Sequence, residues 1–245
     1  MHESLLPLFA LILGLLAGFI GGIATGGGLL AIPGLMAIGL PPSSAIATNN
    51  LNSISSISSA FRFHESTKIQ FRRMLPLIVT ASLGSLVGSK ILLHLNQITA
   101  QRAFGIASII LALSFALSKN PQSYRQSSVY TLFGVIAVFL GSVFAGLFGT
   151  GGGFFVVYTL CYFYGLSVME ANANTKIINL GGALSIILVF LHAGLINFKV
   201  GVPMMVGSTI GGYIGAHTAL KKGEGWVKGI FLIAVIASSI KLILG

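Results

Sequence analysis

Long apolar runs recur from one end of this chain to the other, and no other feature restricts its fold as severely. They cover residues 5–24, 74–93, 103–117, 129–148, 201–219 and 226–244. Each is near the roughly 20 residues that a helix needs to cross about 30 Å of hydrocarbon. In lipid a backbone has no water to bond, so it must satisfy its own hydrogen bonds. Repeated runs of this length therefore predict a bundle of membrane-spanning helices. The short alternating segments of a membrane β-barrel are absent from the sequence.

Composition agrees. Charged residues make up 7% of the chain, against about 25% in a soluble domain. The net charge of +10 does not point to nucleic acid. Lys and Arg stand singly or in pairs between the apolar runs, as topology signals do, and no basic stripe interleaved with aromatics forms a binding face. The flank Met1-His2-Glu3-Ser4 lacks the basic region of a secretory signal, so the first run is expected to be mature structure. The one cysteine, Cys161, excludes an internal disulfide framework and a cysteine-based metal cluster.

The chain is internally repeated. Phe19-Ile20-Gly21-Gly22-Ile23-Ala24-Thr25-Gly26-Gly27-Gly28 matches Phe144-Ala145-Gly146-Leu147-Phe148-Gly149-Thr150-Gly151-Gly152-Gly153. Six of the ten positions are identical. Further on, Ala45 and Ala47 align with Ala171 and Ala173, Ile69-Gln70-Phe71 with Ile196-Asn197-Phe198, Pro76 with Pro203, and Gly84 with Gly211. Two homologous halves follow, 1–118 and 128–245, joined by a polar linker over 119–127.

Each half reads as a helix, a Gly-rich break, a short apolar stretch, a polar-faced helix, a basic loop and two more helices. The predicted spans are 5–24, 29–40, 44–62, 74–93 and 102–118, then 128–148, 154–165, 170–191, 200–219 and 226–244. The stretches 29–40 and 154–165 are too short to span and suit half-helices or re-entrant segments. The fold class is thus an all-α polytopic membrane protein of about eight transmembrane helices plus two half-helices. If the short stretches do not cross, the halves are parallel; if they cross, the halves are inverted. The distribution of Lys and Arg favours the inverted reading slightly.

Three consecutive glycines inside a membrane need a reason, since each costs a helix about 1 kcal/mol relative to Ala. One reason is close helix packing. The other is a discontinuous helix whose freed N–H groups face a substrate anion. The matched position of the two runs favours the second. Neither run is followed by Gly-Lys-Ser/Thr, so neither is a phosphate-binding loop.

Polar residues follow each break. Asn49, Asn52, Ser53 and Ser56 fall at i, i+3, i+4 and i+7, and Asn172, Thr175, Lys176 and Asn179 repeat the spacing. Such residues inside a span usually face a bundle interior or a cavity. Lys176 aligns with Asn50 and is read as a fixed cation for an anionic substrate. Snorkelling to the interface is the competing reading. Glu170 is either its partner or an acid at a helix N-terminus. The chain has no Asp, and no relay of buried carboxylates is visible. Histidines 64, 94, 192 and 217 fall near predicted helix ends, and none forms a metal or haem site. No cofactor is expected, and an enzyme is disfavoured.

The repeated Gly-x-x-x-Thr-Gly-Gly-Gly, Gly39-Leu40-Pro41-Pro42 and the Ala45-x-Ala47-Thr48-Asn49 segment resemble the TauE/SafE sulfite-exporter family, in both halves. The second half departs from the pattern, with Ser167-Val168 in place of Pro41-Pro42. The resemblance implies a cell-membrane exporter or permease of small anions, sulfite or organosulfur anions such as sulfonates, in a bacterial inner membrane. A passive anion channel is the alternative. The expected site lies near the midplane between the halves. Its residues are Thr25, Gly26, Gly27, Gly28, Asn49, Asn50 and Ser53, with Thr150, Gly151, Gly152, Gly153, Thr175, Lys176 and Asn179. The expected partners are the small anion and the lipid bilayer; association into a homo-oligomer stays open.

Overall fold

The computed structural model describes residues 5–64, 69–94, 128–149 and 152–223, with a few positions between 225 and 233. The expected span 102–118, the linker 119–127 and most of 226–244 lie outside the described residues. Every regular element among the described residues is a helix. The first half contains α1 (Leu6–Ala24), α2 (Gly28–Ala37), α3 (Pro42–Asn50), a 3-10 segment (Leu51–Ser55), α4 (Ser56–His64) and α5 (Phe71–Leu92). The second contains α6 (Ser128–Phe148), α7 (Gly152–Tyr164), α8 (Val168–His192) and α9 (Phe198–Lys222). The order matches the repeat, element for element, except in one place.

That place is the expected helix 44–62. It is three pieces, not one. Short polar side chains there compete for backbone carbonyls. The Asn50 amide donates to the Ile46 carbonyl at 2.8 Å, and Ser58 Oγ donates to the Ser55 carbonyl at 2.8 Å. Asn52 Nδ2 donates to Asn49 Oδ1 at 3.3 Å. In a 3-10 helix residues three apart eclipse, so the segment stacks Asn49, Asn52 and Ser55, all buried. The single helix expected there is thus corrected, although Asn49, Asn52, Ser53 and Ser56 still line one cavity. Its counterpart α8 stays α-helical throughout.

The packing is that of a protein in lipid. On α5 the large residues Leu75, Val79, Leu83, Val87 and Ile91 point outward at every fourth position. Beyond Met74 and Leu77 the face it buries is mostly small, with Ala81, Gly84, Ser85, Gly88 and Ser89 before Leu92. Exposed leucine stripes would be a liability in water but are ordinary against acyl chains. Three described helices, α1, α5 and α8, are long and apolar enough to cross a membrane. At 25 residues α9 is longer than α1 and α5, but glycine, serine and threonine dilute it.

Two helix pairs dominate, α1 with α9 and α5 with α6. Both depend on backbones in near contact. A Cβ on Gly18 would lie 2.2 Å from the Ser208 carbonyl oxygen, and one on Gly88 would lie 2.0 Å from that of Val143. The first helix of each half thus packs on the α5-type helix of the other. Two hydrogen bonds repeat this reciprocity. The Asn197 amide donates to Thr48 Oγ1 at 3.0 Å, and the Gln70 amide donates to Asn174 Oδ1 at 3.0 Å. In the repeat alignment Gln70 pairs with Asn197, and Thr48 with Asn174.

Candidate functional site: a polar cavity between two helix breaks

Both breaks, the segmented arm and α8 surround a cavity of about 110 Å³. Each break begins where the first helix of its half ends. After α1 the turn is made by Thr25, at φ 57° and ψ 12°, whose amide donates to the Gly21 carbonyl at 3.0 Å. After α6 it is made by Gly149, at φ 65°, whose amide donates to the Ala145 carbonyl at 2.8 Å. This is the left-handed region, which glycine tolerates and threonine resists.

The glycine triplet therefore serves a purpose other than the turn itself. A Cβ on Gly27 would lie 2.2 Å from the Ala17 carbonyl oxygen, so Gly27 lets α2 fold back against α1. One on Gly26 would lie 2.8 Å from the Phe154 ring. In the second break, Gly152 abuts Ala145, and a Cβ on Gly153 would lie 2.7 Å from Asn179 Nδ2 and 3.1 Å from Thr25 Cβ. The last contact brings the two breaks face to face. Close packing and an open amide end coexist here, because Gly27 and Gly28 at the start of α2 also line the cavity.

The polar residues after each break hold the carbonyl end of the other half's first helix. Asn49 Nδ2 donates to the Gly149 carbonyl at 2.8 Å, beyond the end of α6. Asn172 Nδ2 donates to the Ile23 carbonyl at 2.7 Å, in the last turn of α1. Lys176 Nζ donates to the Gly21 carbonyl two residues earlier. Carbonyls at a helix end lack the usual helical partner, although the Gly21 carbonyl also accepts from the Thr25 amide. Lys176 is buried and does not snorkel to an interface. It carries the charge in this cavity, the other described lining residues being neutral.

Most of the expected site residues meet at this cavity. Thr25, Gly27, Gly28, Asn49, Asn50, Ser53, Gly152, Gly153, Lys176 and Asn179 all line it. Gly26 packs beneath Phe154, off the wall. Thr175 is wholly buried behind the wall, and its hydroxyl has no hydrogen-bond partner. Thr150 and Gly151 lie outside the described residues. Asn50 faces the cavity but spends its amide on its own helix, so it does not mirror Lys176.

Serines on three other helices escaped the sequence reading. Ser85, Ser142 and Ser208 line the cavity from α5, α6 and α9. Ser208 Oγ donates to Asn52 Oδ1 at 3.2 Å, and Ser85 Oγ to the Ser142 carbonyl at 3.3 Å. The repeat carried a signal for them. It aligns Ala17 with Ser142, Ala81 with Ser208 and Ser85 with Gly212, so these positions stay small in both halves.

Two expectations resolve differently. Glu170 does not pair with Lys176. It forms a capping box with Ser167, its Oε2 accepting from the Ser167 amide at 2.9 Å and its own amide donating to Ser167 Oγ at 3.2 Å. His217 is not at a helix end but more than a turn inside α9, where its Nδ1 accepts from Arg62 Nε at 3.1 Å.

Comparison with known proteins finds membrane transporters similar along most of the chain. The family described as sulfite exporter TauE/SafE matches residues 10–242. The probable membrane transporter protein ORF9 of a Sinorhizobium species is 29% identical over 96% of this chain and 91% of its own length. The probable membrane transporter protein of Haemophilus influenzae is 30% identical over 94% of this chain and 91% of its own. The probable membrane transporter protein YfcA of Escherichia coli is 31% identical, over 94% and 86% respectively. No solved structure matches the chain. With a match of this extent, this chain belongs to the TauE/SafE sulfite exporter family.

Proposed function

We propose that the protein is a multi-pass cell-membrane transporter that carries a small sulfur oxyanion or sulfonate through the cavity between two inverted repeats. One observation carries the reading: the Lys176 side chain and the amide end of α2 line the same cavity. A fixed cation and a helix N-terminus both favour an anion. Serine and asparagine side chains around them supply further donors. The names of the relatives support transport as the activity, and the family's description supports a sulfur oxyanion as the cargo.

The driving force in this proposal is the membrane potential. The cavity wall has no described carboxylate or histidine to carry a coupling proton. Moving one charge through 100 mV supplies about 2.3 kcal/mol, enough to expel an anion from a negative interior. Reconstituted proteoliposomes test this. Saturable sulfite or sulfonate efflux should rise with an imposed potential at constant pH. Flux that ignores potential and follows only a pH gradient would overturn the mechanism. Flux that neither saturates nor exchanges with external anion would instead indicate a channel.

A further inference from the structure

The carbonyl end of α1 carries an oddity that anion binding does not explain. Three buried polar atoms there lack any hydrogen-bond partner: Thr25 Oγ1, Asn172 Oδ1 and Thr175 Oγ1. All three are oxygens: Thr25 follows Gly21 by four residues, and Asn172 and Thr175 lie on α8 within one turn of Lys176, which bonds Gly21. The Gly21 carbonyl accepts from both the Thr25 amide and Lys176 Nζ. Asn172, Thr175 and Lys176 share one face of α8 at i, i+3 and i+4. The Asn172 amide is committed to the Ile23 carbonyl, which leaves its oxygen free. A buried polar group without a partner costs about 1–3 kcal/mol, so three together call for an explanation.

Oxygen ligands beside the carbonyl end of a broken helix are what a small hard cation requires. Discontinuous helices in membrane transporters hold coupling sodium ions in this way. Here an ammonium group already sits on the carbonyl. We infer that Lys176 is a tethered replacement for a coupling cation, occupying a latent sodium site formed by the Gly21 carbonyl and the oxygens of Thr25, Asn172 and Thr175. The built-in cation makes the wild-type protein independent of sodium. Among the described residues the second half offers no equivalent. There the Gly149 carbonyl is held by the neutral Asn49, and Asn50 stands where Lys176 would be. The inference rests on the proposed function only for its transport consequence, since cation binding is measurable without any anion.

The test is to remove the tethered charge. Wild-type protein and Lys176→Asn, which copies the repeat-related residue, are melted in sodium chloride and in choline chloride at equal ionic strength. Wild-type Tm should be the same in both salts. Lys176→Asn should melt several degrees higher in sodium chloride, with a saturable dependence on sodium. Lys176→Gln, which restores a neutral donor, provides a second variant should the first not fold. Adding Thr175→Val to either should shrink the sodium shift. In proteoliposomes, wild-type anion flux should be equal in sodium and choline, and variant flux should be several-fold higher in sodium. A wild-type protein that is stabilised by sodium overturns the inference. So does a folded pair of variants whose Tm ignores sodium. A sodium response of the variants without anion flux by the wild type would overturn the proposed function and leave the cation site standing.

Discussion

The first half's polar arm and the second half's polar helix occupy corresponding positions in the sequence repeat, yet they are built differently. The first is α3, a 3-10 segment and α4; the second is the unbroken α8. The first starts on Pro41-Pro42, with Pro42 at the first helical position, where its missing N–H costs nothing. The second starts on the Ser167–Glu170 capping box. The first concentrates neutral asparagines and serines, and the second carries Lys176. Their shared task survives the divergence: each uses an asparagine to hold the carbonyl end of the other half's first helix. The difference teaches that one packing scheme accommodates arms of different charge and rigidity.

Breaking the scaffold should have the largest effect, and an equal one in both halves. Gly18→Leu drives a side chain into the Ser208 backbone, and Gly88→Leu does the same at Val143. Overpacking of this kind costs about 1–3 kcal/mol where neighbours can shift, and more against backbone. Either variant should lose the monodisperse peak in size-exclusion chromatography. Loss from one alone would show that the two interfaces are not equivalent.

The charge asymmetry comes next. Lys176→Ala should weaken anion affinity by tenfold or more, whereas Asn50→Ala should change it by threefold at most. Binding measured by calorimetry on purified protein decides this, and equal losses would make the site symmetric. The shared capping role predicts a matched pair below that. Asn49→Ala and Asn172→Ala each leave a carbonyl unsatisfied, at about 1–3 kcal/mol, and should lower Tm by similar amounts.

Smaller effects sharpen the contrast between the helix starts and between the turns. Ser167→Ala removes a cap worth about 1 kcal/mol and should lower Tm slightly. Thr25→Gly relieves a left-handed threonine, so it should hold or raise Tm, as Gly149 needs no such relief. A fall in Tm would mean that the Thr25 side chain contributes more than its backbone strain costs.

Much of the fold was legible because its causes are local or set by the solvent. Apolar runs of spanning length identified α1, α5, α6 and α9, and the repeat placed the two short helices after the breaks. The segmentation of 44–62 was not legible. Helical periodicity assumes 3.6 residues per turn, and the run Asn49-Asn50-Leu51-Asn52-Ser53 shifts the backbone to another period through its own side chains. The site was legible where polarity is conspicuous in lipid, as at Lys176, and illegible where it is not. Ser85, Ser142 and Ser208 are small enough to pass for packing residues until neighbouring helices converge on them.

By itself, then, the sequence determined a helical membrane bundle of two related halves, each broken after its first helix. Hydrocarbon thickness and backbone hydrogen bonding allow little else. Only the tertiary structure decided what the breaks are for. It put the left-handed turn on Thr25 rather than on a glycine, used the glycines to bring backbones together, and aimed Lys176 at the carbonyl end of α1. Those outcomes depend on which groups from distant segments meet, and no local pattern encodes that partnership.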